Sequence, residues 1–161
     1  MPGEQGFASF YATHHPRLWA FLVRMGASPA VASDLAQDVF VRWLERDNAS
    51  FEGSAQAYLF RIAQHLFIDH VRRNRREVAW DSELEDVMST DAQTGDDVFP
   101  REAWARLPLR QRQLLWLAYA EGFRHDEIAA ITGLAPDGIR VLLSRARARF
   151  VALQEEKRDA R

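Results

Sequence analysis

Apolar residues in the first 76 positions recur at intervals of three and four, the spacing of one face of an α-helix. Three such stripes predict three helices: one ending at Gly26, one beginning at Pro29 behind a Ser28 cap, and one over about 55–76. Pro16 interrupts the first stripe and predicts a kink or a new helix start there. The stripes comprise Phe7, Phe10, Tyr11, Leu18, Phe21, Leu22 and Met25, then Val31, Leu35, Val39, Phe40, Trp43 and Leu44, then Leu59, Ile62, Ala63, Leu66 and His70.

Prolines and glycines divide the C-terminal part of the chain into four shorter predicted helices. No stretch alternates apolar and polar residues with a period of two, so strands are not expected. The last eight residues are polar apart from one alanine and are expected to fray. The pattern therefore predicts an all-α protein, with the later helices at about 101–107, 109–121, 125–132 and 136–152.

The strongest local motif lies within residues 123–150. Ala129 is small enough for two helices to approach closely, and Gly133, four residues later, suits a turn that needs a positive φ. The apolar residues Leu134, Ile139 and Leu142 follow. This spacing is typical of a helix-turn-helix, although a plain helical hairpin can show it as well.

The last predicted helix has one apolar face and one small, polar face flanked by arginine. Such a face suits the major groove, where arginine reaches guanine edges and valine touches a thymine methyl. The alternative is a solvated face whose arginine stems cover the core. The candidate DNA-reading residues are Asp137, Gly138, Arg140, Val141, Ser144 and Arg145.

Charge divides the chain into three parts, although the net charge is only −2. Residues 1–76 carry nine basic against seven acidic residues, residues 77–100 carry eight acidic residues and no basic one, and residues 101–161 carry twelve basic against eight acidic residues. This distribution predicts two small helical domains joined by a flexible acidic linker. The linker is either a solvated tether or a segment that lies against a basic surface. Its charge also predicts weak DNA binding by the protein alone.

Several classes of function are excluded by what the sequence lacks. There is no cysteine, no apolar run long enough for a membrane span and no signal-peptide pattern at the N-terminus, which favours a cytoplasmic protein. No nucleotide-binding, hydrolase or zinc-protease motif is present, and the histidine spacings do not suit a metal site. We expect no enzyme activity, catalytic residue, cofactor, metal, small-molecule substrate or membrane insertion.

Three segments, in their order and spacing, resemble the extracytoplasmic-function (ECF) sigma factors of bacteria. They are SPAVASDLAQDVFVRWL, AQAYLFRIAQHLFIDHVRRNRR and ARLPLRQRQLLWLAYAEGFRHDEIAAITGL, and the resemblance covers about residues 7–152. It implies an alternative sigma factor that binds core RNA polymerase and recognises promoter DNA at −10 and −35 elements, with an anti-sigma factor as a further partner. The recognition-helix run GIRVL departs from the family's usual Thr-Val-Lys-Ser-Arg, so base preference is not carried over.

The resemblance also assigns roles along the chain. Residues 1–76 resemble sigma region 2, 77–100 form the linker, and 101–161 resemble region 4, whose last helix reads the −35 element. The implied core-polymerase residues are Asp34, Gln37, Asp38 and Arg42, and the implied −10 residues are Asn48, Ser50, Phe51, Arg61, Gln64, His65, Arg72, Arg73 and Arg75. Without the resemblance, the first set is an ordinary solvated helix face, and the terminal arginines of the second complement a helix dipole.

A second function stays open at this point. A helix-turn-helix regulator, with its first block used for dimerisation or effector binding, also fits the motif. Such a regulator binds a palindrome as a dimer without polymerase, whereas a sigma factor needs polymerase and an asymmetric promoter.

Overall fold

The computed structural model describes residues 4–45, 53–74 and 100–160, and in these ranges the chain forms helices and turns without a strand. The predicted all-α fold is confirmed. Almost all of the acidic stretch 77–100 lies outside the described residues. The helices are α1 (Glu4–Met25), α2 (Pro29–Glu45), α3 (Ala55–Asn74), α4 (Arg101–Ala105), α5 (Leu109–Leu115, continued by a π-helical turn over Trp116–Ala120), α6 (His125–Thr132) and α7 (Ile139–Asp159), with a 3₁₀ turn at Pro136–Gly138 before α7.

Helices α1, α2 and α3 form the N-terminal half, and their ends follow the predicted signals. Gly26 ends α1 with a φ of 123°. The Ser28 hydroxyl accepts a hydrogen bond from the Val31 N–H at 3.2 Å, and the Ser54 hydroxyl caps α3 in the same way. Pro16 lies inside α1, which continues through it as one helix. The structure thus confirms the helices and leaves α1 undivided.

The second stripe extends less far into the core than its pattern predicts. Leu35, Val39 and Trp43 are buried, whereas Leu44, at the end of α2, is 40% exposed. Helical rotation brings the last residue of the stripe to the edge of the contact with α1 and α3. Leu44 therefore lies on the surface rather than in the core.

Helices α4–α7 form the C-terminal half, which contains the predicted helix-turn-helix. Helix α6 begins where the Glu127 carboxylate accepts a hydrogen bond from the Arg124 N–H at 3.1 Å. It ends at Gly133, whose φ is 77° and whose N–H donates to the Ala129 carbonyl at 2.8 Å. A β-carbon would strain this left-handed backbone. The turn glycine predicted from the sequence is therefore confirmed.

The end of the chain is ordered as helix, which contradicts the expectation of fraying. Helix α7 continues to Asp159. Leu153 is 3% exposed, and two ion pairs join the tail to the start of the C-terminal half: Lys157 to Glu102 at 2.8 Å and Arg106 to Glu156 at 3.1 Å. Composition suggests fraying because the tail is polar, but its charges are matched by partners about fifty residues earlier in the chain.

The two halves pack against each other through what we call the closing contact, formed by α1 and α3 on one side and α5 and α6 on the other. At its centre Phe60 of α3 meets Phe123 edge to face, with 5.4 Å between ring centroids. Phe60 also meets Phe21 of α1 at 5.3 Å. The apolar core is therefore continuous from the first half into the second.

Candidate nucleic-acid interface

One face of α7 is exposed and carries side chains that the sequence predicts for DNA reading. Arg140, Ser144 and Arg145 are exposed, and Val141 is 51% exposed. On the opposite face, Ile139 is fully buried. The helix is thus held by its apolar side. Its other side presents guanidinium donors, a hydroxyl and a branched apolar side chain. Base edges in a major groove form hydrogen bonds with the first two, and the thymine methyl packs against the third.

The backbone at the start of α7 is also accessible. Asp137 is exposed and Gly138 is half-buried in the 3₁₀ turn that leads into the helix. A β-carbon built on Gly138 meets nothing within 4 Å. The structure therefore brings all six predicted −35 residues to one side of the C-terminal half.

Two of the predicted −10 residues on α3 are occupied by the C-terminal half. The Gln64 side chain is buried at 4% exposure and donates to the Ile131 carbonyl at 2.8 Å. It accepts a hydrogen bond from the Gln113 amide at 3.0 Å, and the Arg61 guanidinium donates to the Ala130 carbonyl. Sequence periodicity places these residues opposite the stripe of α3, and the structure shows that α6 covers that face.

The remaining described residues of the −10 set are exposed. His65, Arg72 and Arg73 lie along the solvent side of α3 and its C-terminal end. Partial burial lowers the pKa of His65, the Arg61 guanidinium lowers it further, and Asp69 opposes both. The His65 ring is therefore neutral at pH 7 and offers one donor and one acceptor. Asn48, Ser50, Phe51 and Arg75 lie outside the described residues.

The predicted polymerase-binding face of α2 is open to solvent. Asp34, Gln37, Asp38 and Arg42 are all exposed. Among them lies Val41, which is 53% exposed and which sequence reasoning missed. The sequence could have identified Val41, because it lies four residues after Gln37 and three after Asp38 and therefore on the same helix face. The face therefore has an apolar centre with charges around it, as docking surfaces commonly do.

Sequence reasoning also missed two polar residues inside the C-terminal half. Arg112 and Gln113 are 0% and 3% exposed, although they lie on α5 between buried leucines. Arg112 donates to the Leu107 carbonyl at 2.8 Å and to the Met25 carbonyl of the other half at 2.9 Å. Burial lowers the pKa of Arg112 to about 10. No local signal could have found it, because Arg112 lies within the polar run Arg-Gln-Arg-Gln at 110–113, which is typical of a solvated helix face.

Other kinds of site find no support in the residues that the structure describes. No group of three or more histidine, aspartate or glutamate side chains there could hold a metal ion. In the same part of the chain no helix is both long and apolar enough to cross a membrane.

Comparisons with known proteins agree with this arrangement. The family described as Sigma-70 region 2 matches residues 10–77, and Sigma-70, region 4 matches residues 101–150. The ECF RNA polymerase sigma factor EcfG of Rhodopseudomonas palustris is 36% identical over 143 residues, which cover 86% of this chain and 79% of that protein. This chain is an ECF-subfamily RNA polymerase sigma factor.

Further similarity extends over both halves of the sigma factor. The ECF sigma factor RpoE of Cereibacter sphaeroides is 31% identical, with 89% of this chain and 86% of that protein covered. The solved structure of the sigma factor RpoE in complex with the anti-sigma factor NepR, from Bartonella quintana, aligns with a TM-score of 0.70 at 30% identity and covers 92% of this chain and 96% of that one.

Membership in this family confirms the function predicted from the sequence motifs. The protein is an alternative sigma factor that binds core RNA polymerase and directs promoter-specific initiation. The alternative of a dimeric helix-turn-helix regulator is not favoured, because both sigma regions match in their order along the chain.

Proposed function

We propose that this sigma factor divides promoter recognition between its halves, with α7 reading the −35 element and α3 with the loop before it binding the −10 element. The observation that carries the proposal is the exposed face of α7, which holds Arg140, Val141, Ser144 and Arg145 together behind the Gly133 turn. The proposed division is 1–76 for core-polymerase and −10 binding, 77–100 for the linker, and 101–161 for −35 binding.

The exposed face of α2 is the proposed contact with core RNA polymerase. Asp34, Gln37, Asp38 and Arg42 supply polar contacts around Val41, which supplies a small apolar centre. Charges at the rim of such a surface speed association and fix its register, while the apolar centre is desolvated on binding.

Further partners follow from the relatives. The Bartonella quintana sigma factor was solved with the anti-sigma factor NepR. We propose that this chain is a cytoplasmic protein and that an anti-sigma factor binds it as well. The protein acts by binding and has no catalytic chemistry of its own. Captured single-stranded bases offset the few kcal/mol that each unstacked step costs.

Reconstitution with core RNA polymerase and run-off transcription from genomic fragments tests the proposal. Specific transcripts are expected only when both the chain and core polymerase are present. Asp38→Lys, in the α2 face, should weaken binding to core polymerase. Asp159→Lys makes the same charge change at the exposed end of α7 and should leave core binding unchanged. Tight binding of a palindromic duplex by the chain alone as a dimer would contradict the proposal.

A further inference from the structure

A polar cleft lies between the two halves, beside the closing contact. Its volume is about 260 Å³, just below the range usual for ligand pockets. Helix α3 forms one wall and α5 the other, and Thr132 at the end of α6 completes the lining. Seven of the eight residues that line it are polar or charged, and the exception is Ile68. The cleft therefore suits a small, polar ligand.

The charge of the lining favours an anion. Two arginines contribute to it from different walls, Arg72 from α3 and Arg110 from α5. Within the part of the chain that the structure describes, Arg110 forms no ion pair. Asp69 is the acidic residue of the lining, so two positive charges stand against one negative charge. An anion held between the two guanidinium groups would relieve their mutual repulsion.

The geometry of two guanidinium groups favours phosphate over carboxylate. A guanidinium donates through a planar fork of N–H groups to the oxygens of either anion. A carboxylate has two oxygens in one plane, whereas a phosphate monoester carries up to two negative charges and three terminal oxygens. It can therefore accept hydrogen bonds from arginines on both walls at once. The neutral His65 ring, which also lines the cleft, offers a further donor.

A buried amide in the lining offers a second kind of contact. The Gln113 side chain is 3% exposed, and its nitrogen donates to the Gln64 oxygen at 3.0 Å. No residue that the structure describes donates to the side-chain oxygen of Gln113. A glutamine oxygen can accept two hydrogen bonds. A ligand that enters the cleft can therefore donate a hydroxyl or amine hydrogen to it.

From these observations we propose that the cleft binds a small phosphate monoester. The phosphate group lies between Arg72 and Arg110, and a hydroxyl group of the organic part donates to the Gln113 oxygen. The proposal goes beyond promoter recognition, because Arg110 and Gln113 have no assigned role in binding DNA or polymerase. Arg72 belongs to one half and Arg110 to the other, so the bound ligand joins the two halves.

Isothermal titration calorimetry with the full chain tests the site. The probe is ribose 5-phosphate, and ribose and inorganic phosphate are the comparison compounds. Ribose 5-phosphate should bind more tightly than inorganic phosphate, because it adds the hydroxyl contact, and ribose should show no binding, because it lacks the anion. Absence of binding by both phosphate compounds would overturn the proposal. Equal affinity for the two would overturn the assignment of a monoester.

Arginine variants locate the phosphate group. Arg110→Gln and Arg72→Gln should each weaken the binding of ribose 5-phosphate about tenfold, because each removes charge-assisted hydrogen bonds. Arg158→Gln removes the same charge at an exposed position near the end of α7, outside the cleft, and should leave the affinity unchanged. Equal losses in all three variants would show nonspecific attraction, and unchanged affinity in Arg110→Gln would place the phosphate elsewhere. Either result would overturn the proposal.

A variant of Gln113 tests the contact with the organic part. Gln113→Leu should remove the advantage of ribose 5-phosphate over inorganic phosphate. Both compounds are measured on the same variant, so an effect of the substitution on the closing contact cancels in their ratio. A ratio equal to that of the natural chain would overturn the Gln113 contact. These titrations contain neither DNA nor polymerase, so their failure is distinct from a failure of the run-off assay.

Discussion

Helices α3 and α7 carry the same kind of sequence signal and have different surroundings in the structure. Both show an apolar stripe and an opposite face with arginine and polar residues. On α7 that face is exposed, with Val141 at 51%, whereas on α3 Gln64 is 4% exposed beneath α6. Helical periodicity therefore identifies a face that does not belong to the local core, and it does not determine whether another part of the chain covers that face.

The largest expected effect is a loss of stability when a buried side chain of α6, the helix that packs against α7, is shortened. Ile128 of α6 is fully buried. Ile128→Ala should lower the free energy of unfolding by about 2–5 kcal/mol, because it removes buried methyl groups and leaves a cavity. Chemical denaturation measures this loss, with exposed Ala148→Ser on α7 as the control. A loss no larger than that of the control would show that α6 does not support α7 through this side chain.

A smaller effect is expected at the reading end of α7. Arg140 is exposed in the first turn of the helix, where base edges come within reach. Arg140→Ala should cost about 1–3 kcal/mol in promoter binding and relax preference at one −35 position. Selection from a randomised −35 element with the reconstituted holoenzyme measures both. Lower thermal stability with an unaltered base profile would assign Arg140 to packing instead.

A substitution of Gln113 should weaken the closing contact between the two halves only slightly. Its amide donates to Gln64 at 3.0 Å inside the closing contact. Gln113→Leu keeps the volume of the side chain and removes this bond, which costs about 1 kcal/mol and lowers the closed-to-open ratio about fivefold. Fluorescence energy transfer between labels on Ala12→Cys in α1 and Ala152→Cys in α7, both exposed positions, measures the ratio. Unchanged transfer would show that the amide pair does not contribute to closure.

Arg145 should behave differently from Arg140, although both lie on the exposed face of α7. It follows more than one helical turn later, where a helix leaving the groove passes a phosphate strand. Arg145→Ala should weaken binding to all sequences about equally and lower the salt slope by about one. Salt titration of holoenzyme binding tests this. A change in base preference would place Arg145 at a base edge.

The smallest expected effect is a pH dependence of closure through Glu121. Burial raises the pKa of Glu121 above its ordinary value of 4.5, against the opposing effect of Arg17. The closed form therefore holds this proton more tightly than the open form, so the contribution of Glu121 favours closure at low pH and is lost as pH rises through the raised pKa.

The measurement is the difference in energy transfer between the natural chain and Glu121→Gln across that range. His14 and His65 have lowered pKa values and act in the opposite direction below 6.5. They are present in both chains and cancel in the difference. Identical pH profiles would show that Glu121 does not titrate with opening.

Local signals were sufficient to predict most of the helices. Gly26, Ser28 and Gly133 mark helix ends through backbone preference and capping, which act over a few residues. The exposed face of α7 followed from the same local reasoning. The assignment of individual residues to −10, −35 and polymerase contacts stays a prediction.

Contacts between distant parts of the chain could not be predicted from these signals. Gln64 and Ile131 are 67 residues apart in the sequence, and the Arg112 contact with Met25 spans 87. The ordered tail depends in the same way on the pairing of Lys157 with Glu102. A single sequence shows which groups are polar, and only the folded chain shows which of them meet.

The unbroken course of α7 has a mechanical consequence. Its 21 residues form one rod about 30 Å long, with Arg140 near one end and Lys157 near the other. A rod pivots as a unit. The ion pairs of Lys157 with Glu102 and of Glu156 with Arg106, which hold its tail, are therefore expected to set the angle at which the proposed reading end meets DNA. A partner that binds the tail is therefore expected to change the orientation of the proposed −35 contact without touching it.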